Sequence, residues 1–361
     1  MSRRKREGVT IRAVAQRAGV SAMTVSNVIN GAGRASAATV EKVRAAIGEL
    51  GYVPNLAARR LAKARATTVG LIYSDGRTPF LDAVLVGSLR ATNAQGLQLI
   101  LRDGDGGGQE AAERIAADLV RSGADALLLV PPFAERLSGS ELLAGLGVPV
   151  AAIATGAAMP DMTTVRIDNR AAMRGITEKV IAAGHRRIAY VAGPADHSVV
   201  APRVQGFYDA LGHEADGQVI ECLSFDHASG VEAARNLMAG PERPSAILCG
   251  SDDLASGVIA HANHMGLQLP RDLTVTGFDD TILASRLWPS LTAVRQPVED
   301  MAFRAAQCLI SALGKASSGH VSDEIFDHVI VERESTSCPP IMSADQNGDG
   351  SWIRAEGKLR Q

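Results

Sequence analysis

The chain has 361 residues, of which 46% are hydrophobic, 21% charged and 4% aromatic, with a net charge of −2. That length exceeds one ordinary core and predicts two or three folding units, and the composition excludes a disordered or fibrous chain. No run approaches the roughly eighteen apolar residues of a membrane span. The basic start leads into an amphipathic pattern and not a signal-peptide core, and four scattered cysteines read as reduced thiols of a cytoplasmic protein.

The near-zero charge conceals an asymmetry. Residues 1–65 carry 13 Arg and Lys against three Glu, a net of +10, and the rest of the chain carries a net of −12. A small basic head on an acidic body predicts a polyanion-binding module joined to something that does not bind polyanions. In the head, Thr10 is placed to cap a short helix with the apolar stripe Ile11, Val14, Ala15 and Ala18. Gly19-Val20-Ser21 makes a tight turn. Ser21 then caps a second helix whose inner face is Val25, Val28 and Ile29 and whose outer face is Ala22, Met23, Ser26 and Asn27. Two helices on so short a turn describe a helix-turn-helix. Ser36 caps a third helix, 37–50, with Val40, Val43, Ala46, Ile47 and Leu50 turned inward, and Gly51-Tyr52-Val53-Pro54 ends it.

Thr10-Ile11, Val14-Ala15, Ala18-Gly19-Val20-Ser21, Thr24-Val25-Ser26, Leu50-Gly51-Tyr52 and Pro54-Asn55 fall in the order and spacing of one family. By these stretches the head resembles the lactose-repressor (LacI) family of bacterial regulators. The resemblance implies that Ala22, Met23, Ser26 and Asn27 face the major groove. It implies that Thr10, Ser21, Thr24 and Asn30 belong to the same DNA-binding surface, with short hydroxyls and backbone amides holding phosphates. Two positions depart from the pattern: Ala13 replaces an acidic residue and Asn27 replaces an Arg. Arg reads guanine and Asn pairs with adenine, so an altered operator is expected. Residues 55–66 correspond to a hinge helix that orders on DNA. Leu61 maps to a wedge between base steps in the minor groove, with Asn55, Ala58 and Arg59 beside it.

From Thr67 the pattern changes to short apolar strands alternating with helices of ten or more residues, which predicts parallel sheets covered on both faces. The alternation runs twice, through 69–73, 97–102, 126–130 and 148–153, and again through 164–168, 187–191, 246–249 and 274–277. Two such halves create a crevice at the carboxyl ends of their strands. The resemblance extends here through Asp168-Asn169, Gly184-His185-Arg186-Arg187-Ile188, Arg203-x-x-Gly206-Phe207, Ser251-Asp252 and Gly277-Phe278-Asp279-Asp280. It implies a periplasmic-binding-protein-like body with three crossovers, placed near 165, 293 and 327. It also implies Arg203 and Asp279 as effector contacts, with Ser251 where an Asn is frequent. Phe80, Phe225 and Trp288 are candidate wall residues, and Tyr73, Asp75 and Asp82 candidates for the opposite side. His185, at a helix end, reads as structural.

No Gly-x-Ser-x-Gly, His-Glu-x-x-His or phosphate-loop motif is present, so no catalytic residue and no cofactor is assigned. Gly104 to Gly108 reads as a flexible connection, and His261 and His264 as a surface pair and not a metal site. After 337 the chain reads as a flexible tail. There Asp345, Asn347, Asp349, Gly350 and Glu356 match calcium-loop spacing, but Pro339 and Pro340 preclude the entering helix, so no metal is assigned.

The expected organisation is an all-α helix-turn-helix head (1–54), a hinge (55–66), a two-subdomain α/β body (67–337) and a tail (338–361). Within the body the first subdomain takes 67–164 plus 294–326, and the second takes 165–293 plus 327–337. The expected function is a DNA-binding transcription regulator, a repressor under control of a small metabolite. The competing reading is a cytosolic sugar-binding protein without gene control. The expected partners are a pseudo-palindromic double-stranded operator, a neutral sugar or polyol ahead of a sugar acid and a purine, and a second copy of the chain. The dimer interface is expected on the helices near Phe80, Arg203 to Leu211 and 252–264; no membrane partner is expected.

Overall fold

The computed structural model describes residues 11–29, 36–50, 67–74, 78–104, 107–313 and 321–339. The chain divides into two compact units, Met1–Ala66 and Thr67–Gln361.

The first unit holds α1 (Ile11–Ala18), α2 (Ala22–Ile29) and α3 (Ala37–Leu50). Val14, Ala15, Val25, Val43 and Ala46 are buried between them, with Val20 from the turn packed against this small core. Gly19 sits at φ +67°, a conformation that costs a residue with a Cβ, and this lets α1 stop one residue before the turn. An exposed ion pair, Arg17 to Glu49 at 2.5 Å, links α1 to α3.

The second unit contains two six-stranded sheets. In the first lobe the order is β2 (Gln98–Asp103), β1 (Thr68–Tyr73), β3 (Ala126–Leu129), β4 (Val150–Ile153), β5 (Thr163–Ile167) and β11 (Asp323–Phe326), all parallel. In the second lobe it is β7 (Asp216–Glu221), β6 (Arg187–Ala192), β8 (Ala246–Cys249), β9 (Thr274–Asp279), β10 (Thr292–Arg295) and β12 (Val329–Val331), with β12 alone antiparallel. The central strands β3 and β8 are fully buried runs, Ala-Leu-Leu-Leu and Ala-Ile-Leu-Cys, as strands covered on both faces require. One apolar cluster is continuous from Val84 and Leu128 in the first lobe through Ile176 to Tyr190 and Phe207 in the second.

The chain passes between the sheets three times. The first two switches fall slightly beyond the positions expected near 165 and 293. Strand β5 stays paired to β11 through Ile167, and β10 stays paired to β9 through Arg295. The third lies between Phe326 and Val329. The helical stretch expected between β3 and β4 is two short helices, α6 (Phe133–Leu137) and α7 (Glu141–Gly145).

Candidate functional site

In the head, the Ser21 hydroxyl accepts from the Thr24 amide at 3.1 Å and lies 2.9 Å from the Thr24 hydroxyl, capping α2. Met23 is 71% exposed, so a large apolar side chain stands in solvent on the outer face. Ala22 and Thr24 are half-buried beside it. Ser26 and Asn27 belong to α2, but their side chains lie outside the described residues, as do Thr10, Asn30, Asn55, Ala58, Arg59 and Leu61.

In the body, a cavity of about 610 Å³ lies where the strands of both lobes end. Its second-lobe wall is built on Arg203, which enters from α9 (Val200–Leu211) and is 4% exposed. Its Nε donates to Asn169 Oδ1 at 2.8 Å and its Nη1 to the Gly250 carbonyl at 2.9 Å. The guanidinium lies 3.6 Å over the Phe278 ring. Asn169, itself buried, donates to the carbonyls of Thr155 and Ile167, so the group that aims the arginine is held in turn. Burial lowers the Arg203 pKa from its usual value, and nearby Tyr190 and Asp279 oppose this.

Asp279 ends β9 at φ +97° and accepts from Gln296 Nε2. Burial pushes its carboxyl up to about 6, against the opposing pull of Arg203 and Gln296. Beneath it Asp252 is buried and accepts from the Thr281 amide and hydroxyl at 2.6 and 2.8 Å. Burial, reinforced by the neighbouring Asp279 charge, raises its pKa well above the carboxylate range. Phe225 lies flat on Gly193, where a Cβ would stand 2.0 Å from the ring.

The structure brings Phe80, Arg203, Phe225, Ser251 and Asp279 to this one cavity. Ser251 spends its hydroxyl locally: it donates to the Phe225 carbonyl at 3.0 Å and accepts from the Leu254 amide, capping α11 (Asp252–His264). Three expected residues are elsewhere. Tyr73, the last residue of β1, turns against the hydrophobic core, and the next residue, Ser74, faces the cavity instead. Asp82 is exposed and borders a smaller depression beside Asp280 and Ile282. Trp288 is 79% exposed, outside the cavity lining. Strands β9 and β10 are parallel, so the segment joining them must return to the amino ends of the strands, and Trp288 lies on that return, away from the cleft. Asp75 and the calcium-like tail loop lie outside the described residues.

Sequence reasoning missed Asp103, Arg136, Asp196, His197 and Gln296, all of which line the cavity. Asp103 ends β2 and Gln296 follows β10, so the strand-end rule that selected Asp279 would have found these two, whereas Arg136 lies on α6 and Asp196 and His197 lie on the loop after β6. Gly104 was read as part of a flexible link. Its amide donates to the Tyr73 carbonyl at 2.8 Å, and a Cβ there would stand 2.2 Å from the buried Phe133 ring. His185 is structural in the described residues, its ring bonded to the Ser245 hydroxyl and the Ser337 carbonyl. Among the described residues no cluster of His, Cys, Asp or Glu is arranged to hold a metal, and no helix is long and apolar enough to cross a membrane.

A helix-turn-helix unit and a two-lobed body with a polar cleft at its strand ends together define a DNA-binding transcription regulator with a small-molecule sensor. The comparisons agree. Residues 10–55 match the model for bacterial regulatory proteins of the lacI family, and residues 177–336 match a periplasmic binding protein-like domain. The chain is 34% identical to the HTH-type transcriptional regulator CelR of Thermobifida fusca over 345 residues, covering 93% of this chain and all of that protein. It is 30% identical to GalR of Escherichia coli K12, covering 92% and 97%. Among solved structures, a CelR–cellobiose complex superposes with a TM-score of 0.65 at 31% identity, covering 91% of this chain and 99% of that one. A lac repressor dimer bound to operator and an anti-inducer superposes at 0.71 and 25% identity, covering 92% and 100%. The chain belongs to the lacI family of bacterial transcription regulators.

Proposed function

We propose that this regulator is a repressor that binds a pseudo-palindromic operator as a homodimer in the cytoplasm and releases or tightens on it when a neutral sugar fills the cleft. The charge of the cavity carries the sugar reading. Four carboxylates, Asp103, Asp196, Asp253 and Asp279, share it with two guanidiniums, Arg136 and Arg203. An excess of acceptors with Phe80 and Phe225 as apolar walls suits ring hydroxyls and disfavours an anionic ligand. Arg203 supports the same ranking. Its single Nε proton is spent on Asn169 and one Nη1 proton on Gly250, which closes the side-on Nε–Nη2 grip that a sugar acid's carboxylate could take. The CelR relative, whose solved complex holds cellobiose, is consistent with a carbohydrate.

The homodimer rests on effective concentration: one head reads one half-site, and two on a twofold body read a palindrome. A lac repressor relative is a dimer on its operator. We assign no catalytic step to the body. A binding protein without gene control would have no use for the helix-turn-helix. The test is selection of DNA sites by the full-length protein, followed by salt-dependent binding to the selected site with and without each of a panel of sugars. A twofold-symmetric site whose affinity changes with a sugar is the expected result. Binding that no sugar shifts would remove the effector reading, and Asn27→Arg leaving the selected bases unchanged would remove Asn27 as a reader.

A further inference from the structure

The first turn of the second helix is where a helix-turn-helix meets the edges of the bases, and in α2 that turn carries one long side chain, Met23. Met23 precedes Val25 by two residues, which is about 200° around the helix. Val25 is fully buried between the three head helices and Met23 is 71% exposed, so the methionine points away from the core that holds α2. Its neighbours are already occupied. Ala22 packs half-buried against that core. The Ser21 and Thr24 hydroxyls lie 2.9 Å apart, and Ser21 also accepts from the Thr24 amide.

The chemistry of the groove limits what such a side chain can recognise. Base edges in the major groove offer hydrogen-bond donors and acceptors, with one apolar group among them, the C5-methyl of thymine. Methionine has no donor and only a weak acceptor. Set against the amino group of cytosine or adenine, it removes water without returning a hydrogen bond, which costs free energy. Set against the thymine methyl, it takes two apolar surfaces out of water at once, and its flexible thioether adapts to the fit. Met23 therefore acts in both directions, favouring one base and penalising the others. The net charge of +10 over residues 1–65 draws the head to any DNA, so discrimination falls to side chains of this kind.

We propose that Met23 is a methyl reader: it packs on the C5-methyl of one thymine in each operator half-site, and a 5-methylcytosine in that place is read in the same way. The inference rests on the operator reading above and deepens it by naming the group recognised. 5-Methylcytosine carries its methyl at the same ring position as thymine. A methylated C·G pair thus offers Met23 an apolar surface where unmodified cytosine offers none, and binding responds to cytosine methylation at that position.

The experiment uses the full-length protein and its selected duplex at fixed salt, with deoxyuridine replacing each thymine of the half-site in turn. The exchange removes one methyl and leaves base pairing intact. At one thymine per half-site it should weaken binding about fourfold, and about fifteenfold when both half-sites are changed. At that position 5-methylcytosine·guanine should bind about fourfold more tightly than cytosine·guanine. Met23→Ala should bring both differences to near parity, read as a double-mutant cycle, and Met23→Leu should keep them. Because Met23 is exposed and holds no phosphate, Met23→Ala should leave the melting temperature and the salt dependence unchanged. The absence of any thymine at which deoxyuridine weakens binding, or the same deoxyuridine penalty in Met23→Ala, would overturn the methyl reading and leave the operator reading standing. Failure of the protein to select any DNA site would overturn both.

Discussion

The two lobes share one architecture and line the cleft in different ways. The second lobe presents Arg203, bonded at two nitrogens and stacked on Phe278, with Asp279 braced by Gln296 at the crossover. Those groups are oriented by their own neighbours before any ligand arrives. The first lobe presents Ser74, Thr78, Asp103 and Arg136, and Arg136 finds its partner only on the opposite lobe. The contrast teaches a division of labour: a preorganised wall that recognises, and a wall completed by closure. Preorganisation limits the ordering cost of binding, whereas the closing wall couples occupancy to shape.

The comparison breaks most visibly at Arg203. Arg203→Ala leaves Asn169 and the Gly250 carbonyl without their donor. It should cost about 3 kcal/mol of stability and lower effector affinity about a hundredfold or more, as read by denaturant titration and calorimetry. Unchanged affinity would mean that the second lobe is not the recognising wall.

Two glycines sharpen the contrast. Gly193→Ala drives a methyl into Phe225, which is half-buried and free to swing toward the cavity, so affinity should fall about tenfold with little loss of stability. Gly104→Ala drives a methyl into Phe133, which is 1% exposed and has nowhere to go. Overpacking there should cost about 1–3 kcal/mol, seen as a lowered melting temperature. If both variants lose only affinity, the two walls are equally soft.

Acidity separates folding from binding at Asp279. Its folded pKa of about 6 lies above the unfolded value, so the native state holds the extra proton, and this group's contribution to stability falls as pH rises through that window. A carboxylate accepts ring hydroxyls better than its acid, so effector affinity should climb over the same interval, by up to about tenfold per pH unit. Asp279→Asn should flatten both trends. A pH-independent affinity in the unsubstituted protein would exclude Asp279 as a contact. The smallest effect is expected at Trp288. Trp288→Ala, on the exposed return between β9 and β10, should leave effector affinity within about twofold and stability within about 0.5 kcal/mol.

Legibility in the sequence followed the range of the interactions involved. The three head helices were readable because apolar residues recur at helical spacing within each of them, as Val14, Ala15 and Ala18, as Val25 and Val28, and as Val43, Ala46 and Ile47. Asp279 was readable because it ends a strand and matches a family position, and Arg203, on α9, because it matches one. Arg136 and Asp196 were not, because their meaning lies in a contact across 60 residues that exists only when two lobes face each other. Trp288 was not, because an aromatic beside a strand does not itself tell at which end of the sheet it stands, and only the parallel pairing of β9 with β10 reveals that the intervening segment runs back to the amino ends. The helix at Val298–Ala312, which packs against Pro79–Ala94, carried no motif, and its place in the first lobe follows from the crossovers alone.

Strand β11 has a consequence during synthesis. It completes the first sheet beside β5, and the Thr164 hydroxyl donates to Asp323, 159 positions further along the chain. While the second lobe is being made on the ribosome, the first lobe has five of its six strands and an open, hydrogen-bond-hungry edge along β5. The same interval leaves Pro79–Ala94 without the helix that covers it. Translation at about 5–20 residues per second keeps that edge uncovered for roughly ten to thirty seconds, a window in which a neighbouring nascent chain can pair with it or a chaperone can shield it.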